Sequence, residues 1–441
     1  MADTMTIGRL TQIAPEVTHG VAPAAGATKQ LIDLTFQLDP SYKSTEIRGT
    51  GRRFLATVVP DGQEASAGKV AGTVSYNSWV YLMSMAYGPA TITTPSGAVL
   101  ARKWSWTIPL TGSINPTSMD IEQGDSVDSE QYLYAVCDSW GIDATRSQVQ
   151  PAGSFLMRAV NKASPNGTFG GMTTAGVTQI PSVPVLPKHW SIYMDPTSAN
   201  IGVTKLSRSF HGKLDYGGAF VPFFPLDSAL SSYGGVADGD QPKATFMMEL
   251  MKDPLVGEAL WPVARAAQTE YIRFMSGGIG VSQLIDNYWT FSVTGIPTAG
   301  SFTVSFGGVT SAPIAFNATS AAVATALTGM SSIGAGGVTC TGGPLPGTPV
   351  VVTMAGLQAQ NANPFTLGTN SLTGGTTPAP AFVATQIPYN MTYDFAGKVQ
   401  QPGANKDLTG LRTREWTFDV VEDPTWGNAL LISVVNALTS L

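Results

Sequence analysis

A mainly β chain is expected: two β-sandwich or barrel modules, each with one short helix, and a small α+β domain inserted into the second. Three observations lead there. Charged residues make up only 12% of the 441, about half the usual share, while Gly (48) and Pro (30) are abundant. Short alternating apolar–polar runs, bounded by Gly and Pro, recur along the chain. Finally, no Asp, Glu, Lys, Arg or His occurs between Asn287 and Tyr393. A stretch so long, uncharged and broken by Gly and Pro is neither a membrane span nor an ordinary linker.

Residues 1–30 are polar and Ala/Pro-rich and read as an arm outside the core. The first module then occupies the rest of residues 1–180. Leu31–Leu38 alternates, and Arg48–Val59 runs into Pro60-Asp61-Gly62, where Pro presets φ and Gly accepts a positive one. A hairpin over Arg48–Val70 follows, with its tip at Pro60, Asp61 and Gly62 and with Arg52 and Arg53 at its base. Ser78 is placed to cap an apolar helix, Trp79–Tyr87, stopped by Gly88-Pro89. Lys103–Ile108 alternates with Trp104 and Trp106 on one face. Tyr132–Val136, Gly141–Arg146 and Ser154–Val160 complete the module.

Three prolines in residues 181–187 suggest a stiff linker. The second module is read as residues 188–295 and 385–441. It takes strands from His189–Met194, Thr204–Asp215, Ala244–Met251, Tyr271–Met275, Arg414–Val421 and Leu430–Val435. Asp253-Pro254 is positioned as N-cap and first residue of a helix reaching about Ala267, with a kink expected at Pro262. The insert, residues 296–384, is outlined by Ser301–Phe306, Thr310–Phe316, a helix capped by Thr319 or Ser320, and strands near Val338–Thr341, Pro349–Met354 and Pro364–Leu367. Tyr288–Val293 and Tyr389–Phe395 are expected to pair as neighbouring host strands, which would bring the insert's ends together.

The net charge of −6 argues against a dedicated nucleic-acid binder. Met1-Ala2-Asp3 does not open a secretion signal, so an intracellular product is expected. Cys137 and Cys340 read as buried thiols. His19, His189 and His211 lack metal-ligand spacing, and neither a Gly-x-Ser-x-Gly elbow nor a phosphate loop occurs. The acidic run Asp120, Glu122, Asp125, Asp128 and Glu130 does not have the spacing of a calcium loop. Trp104, Trp106, Trp416 and Trp426 offer rings for sugar stacking, although alternating tryptophans on strands are more often core or interface residues. No catalytic residue, metal or cofactor is expected.

At the C-terminus, Arg414-Glu415-Trp416-Thr417-Phe418 and Glu422-Asp423-Pro424-Thr425-Trp426-Gly427-Asn428-Ala429 resemble the closing block of siphophage major tail tube proteins of actinobacteriophage type. Ser191–Asp195, Ile201–Leu206, Val221–Ser228 and Ile121–Val127 extend the resemblance. The insert, through Gly307-Gly308, Ala312-Pro313-Ile314 and Gly342-Gly343-Pro344, is similar to a small decorating domain of phage structural proteins. The resemblance implies two tail-tube-type modules and a virion structural subunit of the tail, made in the host cytoplasm. Such a subunit polymerises into stacked rings that conduct the genome. The implied partners are further copies of the chain, as trimeric pseudo-hexamers stacked head to tail, and the tail terminator, tape-measure and distal tail proteins. Double-stranded DNA would pass through without tight binding, and no membrane is involved. The Arg48–Val70 hairpin would stack the rings, the insert would face outward, and Asp120, Glu122, Asp125 and Asp128 would line an acidic lumen that repels phosphate. The alternatives are a surface or glycan-binding β-protein and a hydrolase whose site is dispersed in sequence.

Overall fold

The computed structural model describes residues 10–39, 42–47, 50, 53, 57–94, 101–108, 111, 113–125, 129–157, 160–162, 172, 176–218, 220–226, 233–239, 242–253, 258–277, 287–354, 365–386, 389–408 and 410–441. The protein is mainly β, with three α-helices among the described residues. One run of antiparallel strands carries most of it. In spatial order the strands are Trp190–Asp195, Thr269–Gly277, Asn390–Leu408, Leu411–Val420, Lys243–Met251, Ser209–Gly217, Ser129–Thr145, Val149–Met157, Ser66–Gly72 and Leu34–Asp39. Leu430–Asn436 pairs with the first part of Asn390–Leu408 and continues into Arg102–Thr107. The strands of both halves belong to one closed barrel system.

The two halves expected as separate modules therefore meet in one sheet, and they share one hydrophobic cluster. The seam is Trp140, opposite Tyr216 across the strand pair. Its indole stacks on Tyr216 and Tyr393 at 5.8 and 5.5 Å and meets Trp79 and Tyr87 edge-on. Helix α1, Trp79–Tyr87, is buried on nearly every face, and this explains its lack of polar periodicity. It ends at Gly88, whose φ of 86° an L side chain rarely adopts. The expected linker lies extended against Val74–Tyr76, with Val183 and Val185 buried and Tyr76 N–H donating to Val183 O at 3.0 Å.

Four further expectations are corrected. Residues 10–15 are not an arm: Leu10–Pro15 is a strand between Lys29–Leu31 and Met119–Gly124, with Ile13 fully buried. The helix expected from Asp253 is described only as a short piece, residues 254–257 lying outside the described residues. Helix α2 spans Leu260–Arg265 after Ala259, so Pro262 falls in its first turn, where a missing N–H costs no hydrogen bond and need not kink it. Pro60-Asp61-Gly62 is not a hairpin tip; it lies inside the strand Thr57–Glu64, with Pro60 opposite Ser44 of Tyr42–Ile47. In a two-stranded ribbon every strand is an edge, so Pro is tolerated there.

The fourth correction concerns the insert. Tyr288–Val293 does not pair with Tyr389–Phe395. Asn287–Thr294 pairs with Val350–Met354 and with Ala379–Gln386, Trp289 opposite Ala384, inside the insert's own sheet. Tyr389–Phe395 instead overlaps Asn390–Leu408, which lies beside Thr269–Gly277 and Leu430–Asn436. The insert's strands thus run from Asn287 to Gln386. A second sheet forms around Ser301–Phe306, and helix α3, Ser320–Thr328, is capped by Thr319, whose Oγ1 accepts from Ala322 N–H at 3.3 Å. Trp289, Phe291, Val293, Phe302, Phe306, Leu327 and Phe365 belong to a hydrophobic cluster that shares no residue with that of the host.

Candidate assembly surfaces

The register of the main sheet fixes which segments share an end. Met251 and Thr413 are partners, and Leu250 lies opposite Ser209, so these residues and Thr145, opposite His211, mark one end. Gly217 and Lys243 are partners at the other end, which Met157, Ser66, Ala67 and Asp39 share.

Asn390–Leu408 and Leu411–Val420 outrun their neighbours at the Met251 end. Thr269–Gly277 covers the first only as far as Lys398, and Lys243–Met251 covers the second only from Thr413. Beyond those points the two strands pair with each other, to Leu408 opposite Leu411, and the second keeps one further outside bond, Lys252 N–H donating to Arg412 O at 2.8 Å. The tip is held by Gly410, at φ 88°, whose N–H donates to Asp407 Oδ1 at 2.7 Å. Below it, Lys406 pairs with Glu415, and Arg414 donates to Asn405 Oδ1 at 2.8 Å while lying over the Trp261 ring. Sequence reasoning missed this hairpin. Its signal was Asp407-Leu408-Thr409-Gly410, a turn flanked by strands.

Two excursions leave from the Lys243 end. Tyr42–Ile47 and Thr57–Glu64 form a two-stranded ribbon that pairs with nothing else among the described residues, and Lys43 to Ile47 are exposed throughout. Ile47 and Thr57, partners at its far end, bracket residues 48–56 in the sequence. Arg53 is exposed there, not at the base as expected, and Arg52 lies outside the described residues. The second excursion pairs Phe220–Phe223 with Gly235–Asp238. It is anchored by Tyr233, fully buried, whose hydroxyl donates to Tyr134 O at 3.0 Å, and by Phe220 N–H donating to Asp138 Oδ1 at 2.9 Å.

The expected acidic lumen is overturned at two of its four residues. Met119–Gly124 turns Met119 and Ile121 to the core, and the opposite side chains, Asp120 and Glu122, are also fully buried. The segment after Pro15 covers them: Ala27 N–H donates to Glu122 Oε1 at 2.9 Å, and Gln131 Nε2 donates to Asp120 Oδ2 at 2.9 Å. Glu16, bonded by Tyr134 N–H and Ser118 Oγ, closes the group. Asp125 is half-buried and Asp128 lies outside the described residues. Burial first, then the charges of Glu122 and Glu16, push the Asp120 carboxyl up to about 7, partly opposed by Gln131.

A carboxyl whose folded-state value is raised binds its proton more tightly folded than unfolded. It therefore favours the fold below the ordinary carboxylate range, and that contribution is lost as pH rises towards and through about 7. The protein should lose stability between pH 5 and pH 8. Asp120→Asn, which keeps an acceptor for Gln131, should flatten the decline. Urea midpoints at the two pH values test this; an equal decline in both proteins would assign it to other groups.

Trp104, Trp106 and Trp416 are 2%, 3% and 0% exposed, so their rings belong to the core, while Trp426 is half-buried edge-on to Tyr271. His211 Nε2 lies 2.6 Å from Asp143 Oδ1, and His19 Nδ1 lies 2.7 Å from Ser118 Oγ. Among the described residues, no group of three or more His, Cys, Asp or Glu side chains is placed to hold a metal ion. No described helix is long and apolar enough to cross a membrane. The chain matches no family model, and no curated protein matches it.

Proposed function

We propose that this chain is a structural, non-enzymatic subunit of a phage tail tube, polymerising head to tail into stacked rings that conduct the genome. The observation that carries the reading is the placement of projections at opposite ends of the main sheet: the Leu408/Leu411 tip at one, the Tyr42–Glu64 ribbon and the Phe220–Asp238 hairpin at the other. When a surface at one end meets a different surface at the other, the contact is heterologous and propagates instead of closing on a dimer. The resemblance of residues 414–429 to the closing block of tail tube proteins points the same way. On this reading each ring holds three chains, each half taking one of six places, and the insert decorates the outer face. Terminator, tape-measure and distal tail proteins would bind the ends, and DNA would pass without tight binding.

Negative-stain microscopy of the purified chain at rising concentration tests the reading, together with mass per ring from scanning transmission microscopy. Hollow tubes with three chains per ring are expected. Six chains per ring would overturn the trimer, and persistent monomers would overturn the tube.

A further inference from the structure

The segment Glu16–Ala27 lies as a strap over one face of the sheet made by Leu10–Pro15, Met119–Gly124 and Ser129–Thr145. Beneath it, Glu122 lies between Gln12 and Gln131, its partners on the two flanking strands, and Asp120 lies opposite Ala14 on the same face. Gln12, Asp120, Glu122 and Gln131 are at most 6% exposed. Both ends of the strap are tied to this group. At its start, Glu16 Oε1 accepts from Tyr134 N–H at 2.8 Å, an amide set out of the ladder where the register shifts after Tyr132. Glu16 Oε2 accepts from Gly20 N–H at 2.7 Å and from the Ser118 hydroxyl. At its end, Ala27 N–H donates to Glu122 Oε1. The three carboxyls are unequally supplied with donors. Glu16 has those three, whereas Asp120 has Gln131 Nε2 on Oδ2 and, among the described residues, nothing on Oδ1. Gln12 Oε1, diagonally across the same face and within reach of a long side chain, likewise has no donor.

We infer that Glu16–Ala27 is a proton-dependent latch, closed over the sheet while Asp120 Oδ1 carries a proton that it donates to Gln12 Oε1, and lifted when that proton leaves. One proton supplies what two buried acceptors lack and removes one of three neighbouring negative charges. Without it, Asp120 is a buried charge with a single donor, and admitting water is the relief. The strap is the element that yields, because it forms no strand between its ends and hangs partly on the carboxylates themselves. The titratable and charged groups that the described residues bring to this face are Glu122 beside Asp120, Glu16 and His19 on the strap, Tyr134 stacked on His19, and Asp125 just past the strand. Gln12, Gln30, Ser129 and Gln131 come from the flanking strands. Lys29 is opposite Ile13, and Glu130 is bonded to Tyr132, both on the other face. Burial, Glu122 and Glu16 favour the proton on Asp120, and Gln131 opposes it. The closed strap therefore binds this proton more tightly than the open one, so closure weakens as pH rises from the ordinary carboxylate range to about 7. The latch belongs to the single chain and does not depend on head-to-tail assembly.

Hydrogen exchange of the intact chain, followed by mass spectrometry from pH 5 to pH 8 and corrected for the intrinsic pH dependence of exchange, tests the latch. Protection of the strap amides should fall roughly tenfold per pH unit from pH 5 to about 7 and level off above it, while Lys243–Met251 stays protected. Asp120→Asn carries no charge and offers an amide N–H to Gln12, so its strap should stay closed throughout. Gln12→Met removes the acceptor but not the carboxyl, and should move the fall down by roughly one pH unit. Histidine side chains also titrate in this range, so His19→Gln is the control and should leave the fall in place. Strap protection that ignores pH in the wild type would overturn the latch. So would an equal fall in Asp120→Asn, or a fall abolished by His19→Gln. Parallel loss of protection in Lys243–Met251 would overturn it in favour of a loosening of the whole fold. Should Asp120→Asn fail to fold, Gln12→Met against wild type decides, and an unmoved profile overturns the shared proton.

Discussion

Trp140→Ala should lower the stability of the host by about 3–5 kcal/mol, the range for removing a large aromatic side chain from a packed core. The indole is 2% exposed, sits against four aromatic rings, and donates Nε1–H to the Tyr87 hydroxyl at 2.8 Å. Those rings come from α1 in the first half, from Ser209–Gly217 in the second, and from Asn390–Leu408 beyond the insert. A cavity here loosens all three elements together. The Tyr87 hydroxyl, whose own ionisation burial already opposes, also loses its donor. If the halves share one core, the host melts in one transition that shifts as a whole. Calorimetry of wild type and variant measures this. Two host transitions, with only one displaced, would mean that the halves fold separately despite the continuous sheet.

Excising Asn287–Gln386 should have the opposite character: a large change in mass and a small change in the host. The flanking strands Thr269–Gly277 and Asn390–Leu408 already pair along nine residues, from Thr269 opposite Lys398 to Gly277 opposite Asn390. Removing the excursion shortens the connection between them and lowers its closure cost. Asn287 is paired with Gln386, so the insert's ends are adjacent, and its hydrophobic cluster is self-contained. The excised host should keep its melting temperature within a few degrees while one calorimetric transition disappears, and residues 287–386 alone should unfold cooperatively in urea. On the tail tube reading, tubes of the excised chain keep their bore and lose outer diameter in electron micrographs. Loss of tubes with a folded host would place the insert in the ring contact; loss of the host fold would show that the two clusters depend on each other.

Much of the fold was legible in local pattern. Alternation located Arg102–Thr107, Lys243–Met251 and Ser301–Phe306, Gly88 ended α1, and Thr319 opened α3, because these signals act within a few residues. The absence of charge after Asn287 marked the insert. What alternation does not contain is the identity of the neighbour. Asn287–Thr294 and Asn390–Leu408 read alike as strands, yet one belongs to the insert's sheet and the other to the host's, a choice made by which core accepts Phe291 and which accepts Tyr393.

The assembly surfaces divide the same way. Asp120 and Glu122 alternate with core residues, a pattern that reads as a wetted face until Glu16–Ala27 folds over it and buries both carboxylates. Pro60-Asp61-Gly62 has the composition of a turn, but Pro60 pairs with Ser44 and a register shift before Glu64 takes up Asp61 and Gly62 within the strand. The projection at Leu408/Leu411 exists only because its neighbours stop beside Lys398 and Arg412. Sequence determined where the chain alternates, turns and changes composition, since those are short-range preferences of the backbone and side chains. Tertiary structure decided which polar faces are covered, which strands meet, and which hairpins project beyond their neighbours, because these depend on contacts between residues far apart in the chain.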